Sequence, residues 1–133
     1  MYFQEVVAFI LVKQNEFLAE RRKQTKKVLP GALVIPVGKV EAGEQIEKAM
    51  LREAKEELSI IPKDYKFVCT LKNEYPDHIS KIYFFMINSW AGEISCNEAE
   101  ELLWIDFNDK EKLALKVDQI AMEELLRTRN YPY

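Results

Sequence analysis

Glu53, Glu56 and Glu57 stand at positions i, i+3 and i+4 of the stretch Arg52-Glu53-Ala54-Lys55-Glu56-Glu57, so on a helix their carboxylates share one face within an arc of about 100°. Three like charges there repel. The arc also abuts the apolar one formed by Met50, Leu51, Ala54 and Leu58, so the acids cannot all be spread over an outward surface. A hard divalent cation with oxygen ligands, Mg²⁺ or Mn²⁺, would neutralise them, and such ions keep several waters and bind substrate phosphates. The competing reading is a solvated helix surface on which Lys48, Arg52 and Lys55 balance the acids.

What must position these carboxylates is legible on both sides of them. A strand fits residues 32–37, a glycine-punctuated loop covers residues 38–43, and a charged helix runs over residues 45–58, with Pro62 preventing its continuation. A strand ending in a glycine loop that feeds an acidic helix can present backbone groups and metal ligands to one phosphate chain. Upstream, residues 4–13 and 16–22 read as two strands joined by the polar Gln14-Asn15 turn, the first apolar enough to be central. Downstream, residues 67–72 and 79–89 are rich in Val, Ile, Tyr and Phe and are expected to pair, with Tyr83, Phe84 and Phe85 serving core and sheet. A further strand fits residues 102–105, and residues 117–128 read as a closing helix with Val117, Ile120, Ala121 and Leu125 on its apolar face. Strands outnumber helices without regular interleaving, which predicts an α+β class with helices flanking a mixed β-sheet. The single histidine, His78, falls in a polar connection and reads as a loop residue.

The stretch GKVEAGEQIEKAMLREAKEELSI, residues 38–60, resembles the catalytic box of the Nudix hydrolase family: Gly38, five residues, Glu44, seven residues, then the Arg52 to Glu57 run. Ser59 stands where that family usually has glycine, and Val37 where many members carry a second glycine; a left-handed turn at Ser59 would be strained. The likeness to the MutT-like branch extends from Ala19-Glu20-Arg21-Arg22 through Tyr75-Pro76-Asp77 and Trp90-Ala91-Gly92-Glu93 to Trp104. It implies a Nudix fold in which the box forms a loop-helix-loop on a mixed sheet, and attack by water on a phosphorus of a nucleoside diphosphate linked to another group. It further implies that Glu53, Glu56 and Glu57 bind metal with the Gly38 carbonyl as an additional ligand, that Arg52 orients the carboxylates and that Glu44 fixes the loop. Glu53 is one candidate for the general base; the other is an acid of the loop Asn97-Glu98-Ala99-Glu100-Glu101, with Glu98 the first choice by position. Arg22 and Lys39 match positions that hold the triphosphate in MutT-like relatives. Asp118 falls where such relatives place an asparagine that reads the purine edge; ionised aspartate is acceptor-only and would favour a base edge offering N–H donors. The alternative for Asp118 is an N-cap of the last helix.

The rest of the composition bounds this reading. With 133 residues the chain is expected to form one domain over 1–133. The longest apolar run, residues 6–12, is far below the roughly 20 residues of a membrane span. A net charge of -3 argues against stable nucleic-acid binding, which draws on Lys and Arg against phosphates. Cys69 and Cys96 have no metal-type spacing and read as buried free thiols in a cytoplasmic protein, a monomer or homodimer. The function that fits best is a nucleoside triphosphate pyrophosphohydrolase releasing nucleoside monophosphate and pyrophosphate, with hydrolysis of ADP-ribose or dinucleoside polyphosphates as the alternative within the family. A non-catalytic nucleotide-sensing module is the alternative of another class, disfavoured because such modules commonly lose box glutamates.

Overall fold

The apolar run near the start of the chain becomes β1 (Tyr2–Lys13), around which the rest is layered. Its side chains alternate between two cores. Val6, Ala8, Ile10 and Val12 face one hydrophobic cluster, and Val7, Phe9 and Leu11 face the other. A strand covered on both faces carries no polar alternation, which is why the run is continuously apolar. The computed structural model describes residues 2–129, so Met1 and residues 130–133 of the expected domain lie outside the described residues.

β1 turns at Gln14, whose φ is +57°, into β2 (Glu16–Arg21). Its other edge pairs in parallel with β6 (His78–Ala91), which pairs antiparallel with β5 (Ile61–Glu74). β7 (Glu101–Asp106) joins the free edge of β2. The sheet is therefore mixed, as expected, but the single strand anticipated over residues 32–37 is two short ones, β3 (Leu33–Val34) on β2 and β4 (Val37–Lys39) on β1. Pro36 stands at the change of partner, where its missing N–H costs no ladder bond while its carbonyl accepts from the Phe9 amide at 3.1 Å.

α1 (Ile46–Leu58) buries Ala49, Met50, Ala54 and Leu58 against Val7, Phe9 and Leu11. On the opposite face α2 (Lys116–Arg129) buries Val117, Ala121, Met122 and Leu125. Ile120, expected on that buried face, is 40% exposed, and Met122 takes the core position instead. A 3₁₀ turn over Phe107–Lys112, absent from the sequence reading, leads from β7 into α2. Among the described residues no helix is long and apolar enough to cross a membrane.

Candidate active site

α1 begins without a side-chain cap on Gln45 and ends at Ser59, which adopts the left-handed conformation with φ 61° and ψ 31°. Its acidic face straddles the boundary between core and solvent. Glu53 is buried at 8% exposure, Glu57 is half-buried and Glu56 is exposed. Arg52 ties this face to the preceding loop. It donates from Nε and Nη2 to both oxygens of Glu44 at 2.8 Å, from Nη1 to Glu53 at 2.7 Å and Glu56 at 3.1 Å, and from Nη2 to the Lys39 carbonyl at 2.9 Å. Glu44 in turn accepts from the Glu41 amide at 3.0 Å. The planar guanidinium makes this many-armed clamp possible, where an ammonium would offer a point charge.

Gly38 lies directly under the Glu53 side chain. A Cβ at that position would fall 2.0 Å from Glu53 Oε2 and 2.3 Å from its Cδ, so the carboxylate fills the volume that any other residue would occupy. Val37, at the position where the resemblance would place a second glycine, pairs with Ala8 and packs on the α2-side core.

The charges bear out the crowding that the helical spacing implied. Burial pushes the Glu57 carboxyl up to about 8, and the nearby carboxylates of Glu20, Glu53, Glu98 and Glu56 push it further in the same direction. Glu53 is also raised, by burial first, against the lowering effect of its hydrogen bond from Arg52. Glu44 is held down at about 2 by its Arg52 hydrogen bonds, and the Arg52 guanidinium is held protonated still more firmly. Among the described residues no three acid, thiol or imidazole groups stand close enough together to form a ligand set as they are. The donors nevertheless fit a hard divalent cation: they are all oxygens, Glu53 is seated against backbone at a glycine, and Glu57 sits among four other carboxylates whose repulsion a positive ion would relieve.

These groups line one side of a cavity of about 490 Å³ that also takes in Arg22, Lys39, Glu98 and Asp118. The candidate metal ligands, phosphate-binding residues, Glu98 and Asp118 therefore reach a common space, whereas Arg52 and Glu44 do not line it and act on it through the Arg52 bonds to Glu53 and Glu56. Arg22 is fixed by donating from Nε to the Val28 carbonyl at 2.9 Å. Asp118 lies in the first turn of α2 and is 1% exposed; its Oδ2 accepts from the Ile35 amide on the neighbouring chain segment at 3.1 Å. That bond runs to Ile35 and not to an amide of α2, so the N-cap reading of Asp118 is set aside. Burial raises its carboxyl to about 7 in spite of the Ile35 amide.

The cavity contains residues that the sequence reading left out. His78 is not in a loop: it is the first residue of β6, opposite Tyr2 in the parallel register, and its ring stacks between those of Tyr2 at 5.2 Å and Tyr75 at 4.7 Å. Asp77 accepts from its Nδ1 at 2.7 Å. Tyr75, His78 and the buried Ser80 all line the cavity. Glu20 on β2 has a carboxyl raised to about 6 by burial, and it is the charge that acts most strongly on Glu57. No local signal marked it, since its proximity to α1 depends on the order of strands. Cys96 is exposed and Cys69 half-buried, so the buried-thiol reading fails for Cys96; both are free. Cys96 sits in the turn before Glu98, its Sγ donating to the Ala99 carbonyl at 3.1 Å.

Residues 1–127 match the family model of the NUDIX domain. The 8-oxo-dGTP diphosphatase of Haemophilus influenzae is 36% identical over 75 residues, which are 56% of this chain and 55% of that protein, so the chain spans about half the length of this relative. The ADP-ribose pyrophosphatase of Methanocaldococcus jannaschii is 31% identical over 98% of this chain and 78% of its own length. Among solved structures, a MutT Nudix hydrolase from Burkholderia pseudomallei superposes with a TM-score of 0.80 at 23% identity, covering 92% of this chain and 98% of that one.

Proposed function

The chain belongs to the Nudix family and has its fold, and from that premise we propose that it hydrolyses a phosphoanhydride bond as a MutT-like nucleoside triphosphate pyrophosphohydrolase. The observation that carries this reading is the shared cavity: the acidic face of α1 and Gly38 line one part of it, and Asp118 with the Tyr75 and His78 rings lines another. A nucleotide would lay its phosphates on the first part and its base on the second. Relatives named for 8-oxo-dGTP favour a modified purine nucleotide as substrate.

In this reading Glu53, Glu56, Glu57 and the Gly38 carbonyl would hold divalent metal, Mg²⁺ or Mn²⁺, which when bound acidifies a water and offsets charge on the phosphate oxygens. Arg52 orients Glu53 and Glu56. Arg22 and Lys39 bind non-bridging phosphate oxygens. A carboxylate takes the proton of the attacking water: Glu98, from the loop that also lines the cavity, is assigned this role ahead of Glu53, which Arg52 already engages. Water attack on the substituted phosphorus breaks the anhydride bond, and nucleoside monophosphate and pyrophosphate leave. The free thiols of Cys69 and Cys96 suit a reducing compartment, and the reaction is assigned to the cytoplasm.

A panel of nucleoside triphosphates, 8-oxo-dGTP, ADP-ribose and dinucleoside polyphosphates, incubated with Mg²⁺ and assayed separately for pyrophosphate and phosphate, tests this. Pyrophosphate from triphosphates is the expected result. The Methanocaldococcus relative, which aligns with nearly the whole chain, favours ADP-ribose as the second reading; cleavage of ADP-ribose with no triphosphate turned over would put it first. No cleavage of any member would turn the reading toward a nucleotide sensor.

Asp118 is assigned the base. With its carboxyl near 7 it exists in both protonation states at neutral pH, so it can donate as well as accept, and an oxidised guanine edge is no longer disfavoured as it would be for a fixed carboxylate. Asp118→Asn is expected to change the ranking of bases more than total activity; an unchanged ranking would remove Asp118 from the base pocket. Because the folded value of about 7 lies above the ordinary 3.8, the associated stability is full below pH 3.8, declines as the pH rises and is lost above about 7. Asp118→Asn lacks that decline. Urea unfolding between about pH 4 and pH 8 should therefore show the wild type losing stability relative to the variant as the pH rises, and parallel curves would rule out the raised carboxyl.

A further inference from the structure

We propose that Ser59 and Asn97 form a latch that holds the Glu98 loop on the C-terminal end of α1, which makes them positioning residues for the hydrolysis; the proposal rests on the catalytic role given above to Glu98.

The hydrogen bonds at this junction close a ring whose direction can be derived. Asn97 Nδ2 lies 2.9 Å from the Glu56 carbonyl, which only accepts, so this end of the amide is the nitrogen. Its Oδ1 therefore accepts from Ser95 Oγ at 2.8 Å, which uses the only hydroxyl proton of Ser95. In the 2.6 Å contact between Ser59 Oγ and Ser95 Oγ, Ser59 must then be the donor. Ser59 Oγ in turn accepts from Asn97 Nδ2 at 3.0 Å. Each of the three side chains both donates to one neighbour in the ring and accepts from the other.

The ring is one part of a wider cap. A helix leaves its last carbonyls without partners in the helix, and here the loop supplies them: Ser95 N donates to the Leu58 carbonyl at 2.9 Å and Asn97 N to that of Glu57 at 3.3 Å, beside the Asn97 Nδ2 bond to Glu56. The residues so capped include two of the three acids on the metal face, and the next residue after Asn97 is Glu98. At the far end of the loop Glu100 N donates to the Arg21 carbonyl at 2.9 Å, and Arg21 Nε pairs with Glu101 at 2.7 Å. Glu98 is thus suspended between α1 and β2, within the electrostatic reach of Glu57 and Glu20.

Ser59 can play this part because it is not glycine. Its φ of 61° is a conformation that glycine adopts more readily, and the backbone alone asks only for the Ser59 N bond to the Lys55 carbonyl at 2.9 Å. The hydroxyl is what reaches Ser95 and Asn97. Gly92, the residue after β6, comes so close that a Cβ there would stand 2.9 Å from the Ser59 carbonyl. The departure from the family's usual glycine at this position is, in this chain, the centre of the latch.

The test compares Ser59→Gly, Ser59→Ala and Asn97→Ala, each alone and combined with Glu98→Gln, with dGTP and in parallel ADP-ribose as substrates in the presence of Mg²⁺. Ser59→Gly keeps the left-handed turn and loses only the hydroxyl, so it should fold with an unchanged or raised melting temperature. The expected result is a fall in kcat of about tenfold for each latch variant, with KM within about twofold, and no further fall when Glu98→Gln is already present. If Glu98→Gln is damaging but the latch variants match the wild type, or add their full effect on top of it, the latch is wrong while the role of Glu98 stands. If Glu98→Gln has no effect, or neither substrate is turned over, the assignment of Glu98 falls and takes the latch with it.

Discussion

Glu57→Gln is expected to lower turnover at least about a hundredfold while the protein remains folded, as when a group that stabilises charge in the transition state is removed. Glutamine keeps the length and shape of the side chain and removes the charge. In the folded chain Glu57 is half-buried beside Glu20, Glu53, Glu56 and Glu98, a position where a carboxylate costs stability unless a cation answers it. Without divalent metal the variant should therefore melt at the same temperature as the wild type or higher. Adding Mg²⁺ should raise the melting temperature of the wild type and leave that of Glu57→Gln nearly unmoved, since a ligand that binds only the folded state stabilises it with the logarithm of its concentration over its Kd. Loss of activity together with an intact metal-induced shift would mean that Glu57 is not a metal ligand. Near-wild-type activity would remove it from the site altogether.

The parts of this fold that could be read from the sequence are those in which a local pattern and a tertiary environment agree. β1 was legible because burial on both faces leaves an unbroken apolar run, and α1 because Met50, Ala54 and Leu58 recur at the spacing of one helix face. Elements whose identity depends on a distant partner were not. Residues 32–37 carry one continuous strand signal, yet their neighbour changes from β2 to β1 at Pro36. β5 begins well before residue 67 because β6 is long enough to pair with it from Ile61, although its first residues are mostly exposed and show no apolar alternation.

The candidate site divides along the same line. Gly38 in β4 and Glu44, Arg52, Glu53, Glu56 and Glu57 in the loop and helix that follow belong to one short continuous stretch, so their spacing in the chain is nearly their arrangement in space. His78 and Ser80 reach the cavity through the parallel register of β1 with β6, with Tyr75 in the turn just before it, and Glu20 reaches Glu57 from β2; neither relation leaves a trace in the local sequence. Asp118 was found from its resemblance to relatives, but its partner, the Ile35 amide 83 residues away, is what separates the base-pocket reading from a helix cap.

Gly38→Ala is expected to abolish most of the activity at little cost in stability, a fall of at least about a hundredfold in kcat. The backbone at Gly38 does not require glycine for its dihedral angles, since its φ is not among the positive ones; the requirement is space. The added methyl would overlap Glu53 Oε2, Cδ and Cγ, all within 2.3 Å. What it meets is the far end of a flexible side chain and not another backbone, so Glu53 swings away and the sheet stays as it is. The displaced carboxylate leaves its 2.7 Å bond from Arg52 Nη1 and no longer faces the cavity in company with Glu57. A misplacement of about 1 Å at a reacting centre can cost two orders of magnitude in rate without unfolding anything. A double-mutant cycle separates this account from general damage: in a Glu53→Ala background the space is already empty, so Gly38→Ala should lower neither the melting temperature nor the residual activity further. An equal loss of stability in both backgrounds would show that the methyl strains the strand itself, and the glycine would then serve the sheet and not the seating of Glu53.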